Sequence, residues 1–237
     1  DVDRKVMANG PRLHTLLQQM NAATFGRRDV LTVGETWSAT PETAKLYSDP
    51  ARHELSMVFQ FEHVTITFDP VEGKWKPRPF DLVEFKRVMG KWQTGLADQG
   101  WNSLFWCNHD LPRAVSKYGD DGRFRVESAK MLATWLHGQQ GTPYVYQGEE
   151  LGMSNVAFEQ IEDYRDIESL NFYRVATSER GWTSAQALAA IHTKGRDNAR
   201  TPMQWDASAQ AGFSSGQPWI SLNPNAAEVN AEQALAD

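Results

Sequence analysis

The chain has a single cysteine, Cys107, among 237 residues. That excludes an internal disulfide and a thiolate metal cluster. Its six histidines are scattered, with no His-x-x-x-His pair, so spacing points to no metal site. A Gly-rich phosphate loop is missing. Basic residues form no stripe and the net charge is −6, which argues against a nucleic-acid partner. Apolar runs are too short to cross a membrane. No leader is visible, and the chain opens at Asp1 without Met on residues that read as internal. The expected setting is cytoplasmic. Internal repeats, low-complexity tracts and flexible interdomain linkers are lacking as well.

What is present is an ordinary apolar content, 41%, and an aromatic share of 11% that includes nine Trp. Such an excess either fills a large core or supplies flat platforms for sugar rings. The stretch from Trp101 to Arg113 is the most informative. Its apolar run Leu104–Cys107 breaks into Asn108-His109-Asp110, and Pro112 stops any continuation. A short apolar run bounded by turn residues reads as a strand buried on both faces. Ionisable groups crowded at the end of such a strand are costly to bury. A capped turn would account for Asn108 and Asp110 locally. An active site at the carboxyl ends of barrel strands would account for them functionally.

The same pattern recurs along the chain. Residues 29–34 form a β-branched run that ends in Glu35-Thr36-Trp37, and 55–61 read as a further strand that ends at Glu62-His63. A third short run, 144–146, ends at Gln147-Gly148-Glu149-Glu150. The turn Asn9-Gly10-Pro11 opens a helix before the first run; between the runs, helical spacing follows the N-caps Thr40 and Asp81 and covers 127–137. Strand–helix alternation predicts an α/β fold with a parallel sheet and right-handed crossovers. Beyond Met153 the pattern degrades: 158–173 is mixed and acidic, a short helix starts at Thr183-Ser184, and 195–206 is a charged, aromatic loop. A loop of that length is usually functional. Carboxylates at strand ends beside aromatic walls are what glycoside cleavage requires: one acid to protonate the leaving oxygen, one carboxylate at the oxocarbenium-like centre.

Four segments carry a family resemblance. They are Val33-Gly34-Glu35, Phe105-Trp-Cys-Asn-His-Asp110, Gly141-Thr-Pro-Tyr-Val-Tyr-Gln-Gly-Glu-Glu-Leu-Gly-Met153 and Gly195-Arg-Asp-Asn-Ala-Arg-Thr-Pro-Met-Gln-Trp-Asp206. Together they resemble the α-amylase-type glycoside hydrolases, in particular the oligo-1,6-glucosidase and dextran-glucosidase branch. The resemblance implies a segment of a (β/α)8 TIM barrel, from the fourth helix to the loop after the eighth strand. On that reading residues 1–153 are the C-terminal half of the catalytic barrel, and 154–237 are a long loop or subdomain of the same domain. The N-terminal half, the inserted B domain and the C-terminal β domain are then absent.

The resemblance also assigns roles. Glu35 is the general acid/base and Asp110 the third carboxylate, which grips the substrate and stabilises the transition state. His109 contacts the sugar in the −1 subsite, and Arg196 helps fix the non-reducing end. Trp37 and Lys74 line the +1 subsite, with Phe61, Glu62 and Arg113 as further substrate-binding residues. For Arg200 and Asp206 a structural salt bridge and a substrate contact stand level, and Cys107 is core. The chain departs from the family in having no Gly-Phe-Arg-Met-Asp-type motif. Asp1-Val2 lies too close to the Asn9-Gly10-Pro11 turn to supply the nucleophile, so this piece alone is expected to be inactive. No cofactor is expected in this segment; the resemblance puts a calcium site, where relatives have one, in the missing part.

The expected function is retaining hydrolysis of α-1,6-linked gluco-oligosaccharides from the non-reducing end, with α-1,4 linkages as a secondary option. The partner is thus an isomalto-oligosaccharide, with no nucleic acid and no membrane. Trehalose-6-phosphate hydrolases are an alternative, but they have a His where this chain has Glu62. Sucrose isomerases carry an Arg-rich loop where this chain has the Arg-free stretch 64–70. A non-catalytic, transporter-associated relative is the remaining alternative, disfavoured by Glu35 and Asp110.

Overall fold

The computed structural model describes residues 8–236, so Asp1 and Val2 lie outside the described residues. A four-stranded sheet in the order β1-β2-β3-β4 is its framework. The strands are β1 Val33–Glu35, β2 Met57–Phe59, β3 Asn102–Phe105 and β4 Thr142–Tyr144. All neighbours are parallel, with Glu35 opposite Phe59, Phe59 opposite Ser103 and Phe105 opposite Tyr144. Sequential parallel order is how consecutive strands run in a (β/α) barrel, and it puts every carboxyl end on one side.

The strand β3 is buried along its whole length, but it starts two residues before the apolar run Leu104–Cys107 and takes in the polar Asn102 and Ser103. The first strand is different. It is an edge strand with Val33 39% exposed, and Leu31 just before it is 64% exposed, so a buried strand over 29–34 is not what forms. Its start is set instead by Thr32, whose carbonyl accepts from the Ser56 and Met57 amides. A Cβ at Gly34 would stand 2.6 Å from Leu55 Cδ1, so a larger residue there would push the Leu55 side chain aside. The last strand also sits two residues earlier than 144–146, and it contains Pro143. An edge strand tolerates proline because one side of it donates to no neighbour.

Helix α1 spans Leu13–Ala23, α2 Pro41–Ser48, α3 Glu62–Thr65, α4 Leu82–Gly95, α5 Ala114–Tyr118 and α6 Arg125–His137. The caps read from sequence are in place. Thr40 forms a reciprocal capping box with Thr43, and Asp81 accepts from the Val83 and Glu84 amides. The apolar face of α1 buries none of its residues. Polar contacts hold that helix: His14, Gln18 and Asn21 all bond Glu54, whose carboxylate is fully buried. Later come α7 Ile167–Ser178, α8 Ser184–Lys194, α9 Asp197–Arg200 and α10 Ala231–Ala236.

By contacts the chain divides into two compact units. The first comprises Asp1–Pro70, Pro77–Phe105 and Gly138–Tyr144, and contains the whole sheet. Its buried side chains include Val58, Val64, Phe85, Trp92 and Leu104. The second comprises Val71–Lys76, Trp106–His137 and Val145–Asp237, and so takes in residues on both sides of Met153. Its core packs Phe158, Tyr164, Phe172, Ile191 and Ile220 around Ala176 and Ala187. No helix of the described residues is long and apolar enough to cross a membrane.

Candidate active site

In the first unit, Glu35 closes β1 and its carboxylate is exposed. One oxygen, Oε1, accepts from the Trp37 indole N–H at 2.8 Å. Among the described residues Oε2 has no partner. That arrangement orients a carboxyl while leaving one oxygen to carry or take a proton. The Trp37 ring is stacked on Phe61, with centroids 3.9 Å apart and planes within 13°, yet half of its surface is open. Phe61 is itself buried and set edge-on to Phe105. The strand-end turn therefore supplies a rigid aromatic wall beside a carboxyl group.

Glu62 is used differently. It accepts from Lys91 Nζ at 2.5 and 2.6 Å and from Trp92 Nε1 at 2.9 Å, which ties the start of α3 to α4. Its neighbour His63 is buried, with Nε2 bonded to the Phe105 carbonyl and Nδ1 to Gln60. Both anchor the end of β2.

In the second unit, a network of charges surrounds Asp110. Asn108 Oδ1 accepts from the Asp110 amide, so the capped turn and the site coexist at this strand end. Asp110 Oδ1 accepts from Arg200 Nη2 at 2.6 Å and lies 3.5 Å from Arg196 Nη1. His109 Nε2 is 3.7 Å from Oδ2, its ring largely exposed. Arg196 Nε also pairs with Glu168 Oε2 at 2.7 Å, and the same oxygen accepts from Lys74 Nζ at 2.6 Å. The Lys74 ammonium stands 4.5 Å over the Trp75 ring. Burial acts to lower the Arg196 pKa, but Glu168, Asp110 and Asp166 outweigh it and hold the guanidinium above its ordinary value. Arg200 also donates from Nε to the His109 carbonyl, fixing the turn on which Asp110 sits.

Of the second-unit residues expected in the site, this structure joins Asp110, His109, Arg196 and Lys74 in one network. Arg113 stands apart from it. Its side chain is almost wholly enclosed and donates to the carbonyls of Asn198 and Gln147 and, at 3.5 Å, to Thr201 Oγ1. It clamps three segments together and has no donor facing outward, which suits a structural role.

Glu168 and Asp166 complete the network and were not read as site residues. A signal for them existed: Asp166-Ile-Glu-Ser169 before an apolar run is a helix N-terminus. Asp166 indeed caps α7, accepting from the Glu168 and Ser169 amides, and so presents Glu168 in the first turn. The segment Gly212-Phe-Ser-Ser-Gly216 spells Gly-x-Ser-x-Gly, but it follows a 3-10 turn and not a strand. Ser214 Oγ there accepts from the Gly216 amide. It is not a nucleophile elbow.

Among the described residues no group of three or more His, Cys, Asp and Glu side chains is placed to hold a metal. A different carboxyl is unusual: Glu149, after β4, accepts from the Cys107 thiol at 3.1 Å. Burial pushes its pKa up to about 7, against the thiol hydrogen bond. A carboxyl whose folded pKa is raised binds a proton that the unfolded chain has already lost. Stability should therefore fall as pH rises from about 4.5 to about 7, and Glu149→Gln should flatten that slope, as thermal unfolding across this range would read.

A parallel sheet with a carboxyl and an aromatic wall at a strand end is the arrangement expected of a barrel-type glycosidase domain. The family model described as alpha amylase, catalytic domain, matches residues 1–237, and the chain belongs to that family. It is 57% identical over 97% of its length to an oligo-1,6-glucosidase from Parageobacillus thermoglucosidasius, covering 41% of that protein. It is 58% identical over its full length to a palatinase from Erwinia rhapontici, covering 43% of it. Among solved structures, trehalose-6-phosphate hydrolase from Bacillus licheniformis superposes with a TM-score of 0.94 at 48% identity, over 99% of this chain and 42% of that one. The chain thus spans about two-fifths of the length of the relatives it matches.

Proposed function

We propose that the full-length protein carrying these residues is a retaining α-glucosidase. It hydrolyses α-1,6-linked gluco-oligosaccharides from the non-reducing end. The observation that carries this reading is the Glu35 carboxyl, oriented by Trp37 through one oxygen and open at the other. Glu35 protonates the departing sugar oxygen and then activates water. Asp110, held between Arg200 and Arg196, binds the sugar being cleaved and stabilises its positive charge. His109 contacts the same sugar, and Arg196 reaches its non-reducing end. No residue of this chain is proposed as the nucleophile, and the 237 residues by themselves are proposed to be inactive.

The linkage preference rests on Lys74. Glu168 holds its ammonium beside the Trp75 ring, which restricts a flexible side chain to one place. An ammonium has three rotatable donors and no planar fork, so it can follow the hydroxyls of a sugar joined through its mobile 6-position. In the full-length protein Lys74→Ala should lower kcat/KM for isomaltose by about one to two powers of ten, as for a charge-assisted hydrogen bond. Maltose should lose less. Steady-state kinetics on both disaccharides decide this, and equal losses would remove Lys74 from linkage choice. Turnover of trehalose 6-phosphate in place of isomaltose would favour the phosphorylated disaccharide as substrate.

A further inference from the structure

Helix α7 carries a second surface beside the charge network. Ile167, Asn171 and Val175 recur every four residues, and so lie along one stripe of the helix. At 1.5 Å per residue the stripe is about 12 Å long. Together with Trp75 and Arg180 it lines an open groove of about 490 Å³. Glu168, whose carboxylate also holds Lys74 and Arg196, is one of its lining residues.

The lining has the mixed character that sugar binding needs. Trp75 is stacked on Phe172 at 4.2 Å with planes 7° apart, which fixes the groove wall on the core of the second unit. Ile167 is 67% exposed, a large apolar side chain left in water at the first turn of the helix. Besides Glu72 and Glu168, the polar lining residues are Asn171 and Arg180. Among the described residues neither side chain donates to or accepts from another, so both are available to hydroxyls. Sites of this kind combine apolar walls with a few convergent polar groups.

We propose that this groove is a distal subsite for the leaving-group side of the substrate. There it holds the sugar units beyond the one contacted by Lys74. The inference rests on the reading of Lys74 as a leaving-side residue. Continuity selects the occupant: Glu168 both lines the groove and positions Lys74, so a chain leaving Lys74 can continue into it. A disaccharide ends before it, and a tetrasaccharide fills it. The groove is therefore a chain-length device, separate from the residues that choose the linkage.

The test compares isomaltose with isomaltotetraose in the full-length protein. The double variant Asn171→Ala, Arg180→Ala should lower kcat/KM for isomaltotetraose by about tenfold or more, as for one neutral and one charge-assisted hydrogen bond. Isomaltose should stay within about twofold. Ile167→Asp serves as a second variant: it removes the apolar wall, and a carboxylate in the first turn suits the helix dipole, so folding is preserved. It should show the same length-dependent loss. An active wild type whose variants lose equally on both substrates, or on neither, would overturn the groove and leave the function intact. A wild type inactive on both substrates would overturn the function reading and the groove with it.

Discussion

Glu35→Gln in the full-length protein is expected to lose about 10²–10⁴-fold in kcat/KM on isomaltose, the usual contribution of a positioned general acid. On an aryl glucoside with a good leaving group the loss in the same parameter should be far smaller. The reason lies in what leaves. A sugar hydroxyl is a poor leaving group and must be protonated as the bond breaks, whereas an activated phenolate departs without help. The amide of Gln keeps the size of the carboxyl and can still face Trp37, so the wall of the site survives. Bound to water or substrate, it cannot deliver a proton. Parallel kinetics on the two substrates read the difference, and equal losses on both would mean that Glu35 does not act on the leaving oxygen.

Asp110→Asn should behave in the opposite way, with losses of about 10²–10³-fold on both substrates, the scale of removing one preorganised electrostatic stabiliser. On the proposed reading Asp110 acts on the sugar ring, which is the same whatever leaves. Its surroundings sharpen the expectation. Arg200 donates to Asp110 at 2.6 Å and Arg196 stands at 3.5 Å, so the carboxylate is the counter-charge for two guanidinium groups. Replacing it with a neutral amide leaves Arg200 with the His109 carbonyl and a distant Asp166 at 3.9 Å. The site then turns net positive where a cationic transition state must form. A loss confined to isomaltose would contradict this role.

Much of this arrangement could be read from the amino acids alone, for identifiable reasons. The strand at Asn102–Phe105 was legible only through its second half, where Leu104 and Phe105 begin the apolar run; the buried Asn102 and Ser103 carry no apolar signature. Thr40, Asp81 and Thr183 were legible because a cap acts through its own side chain on the next amides. The edge strands were less so. Val33–Glu35 is three residues long and half open, and its limits come from hydrogen bonds to Ser56 and Met57, which no local pattern encodes. The shift of β4 onto Thr142–Tyr144 arises the same way, from pairing with β3.

The site shows a similar division. Glu35 and Asp110 stand at ends of apolar runs, which is what marks them as candidates. Glu168 is one acid among several in an acidic stretch, and only its place in the first turn of α7 brings it to Lys74, 94 residues away. Arg113 illustrates the converse. A charged residue just past a site motif looks functional in sequence, yet its guanidinium is spent on Asn198, Gln147 and Thr201. The sequence distance between those partners hides a structural clamp.

The central claim is that Glu35 is the acid/base of a retaining glucosidase, and azide tests it most directly. Glu35→Ala in the full-length protein, given an activated aryl α-glucoside, should form its covalent intermediate and then stall, because no base activates water. Azide needs no base, so adding it should restore turnover and yield the glucosyl azide with the α configuration retained. Azide that leaves the rate unchanged, or a product of inverted configuration, would contradict the account.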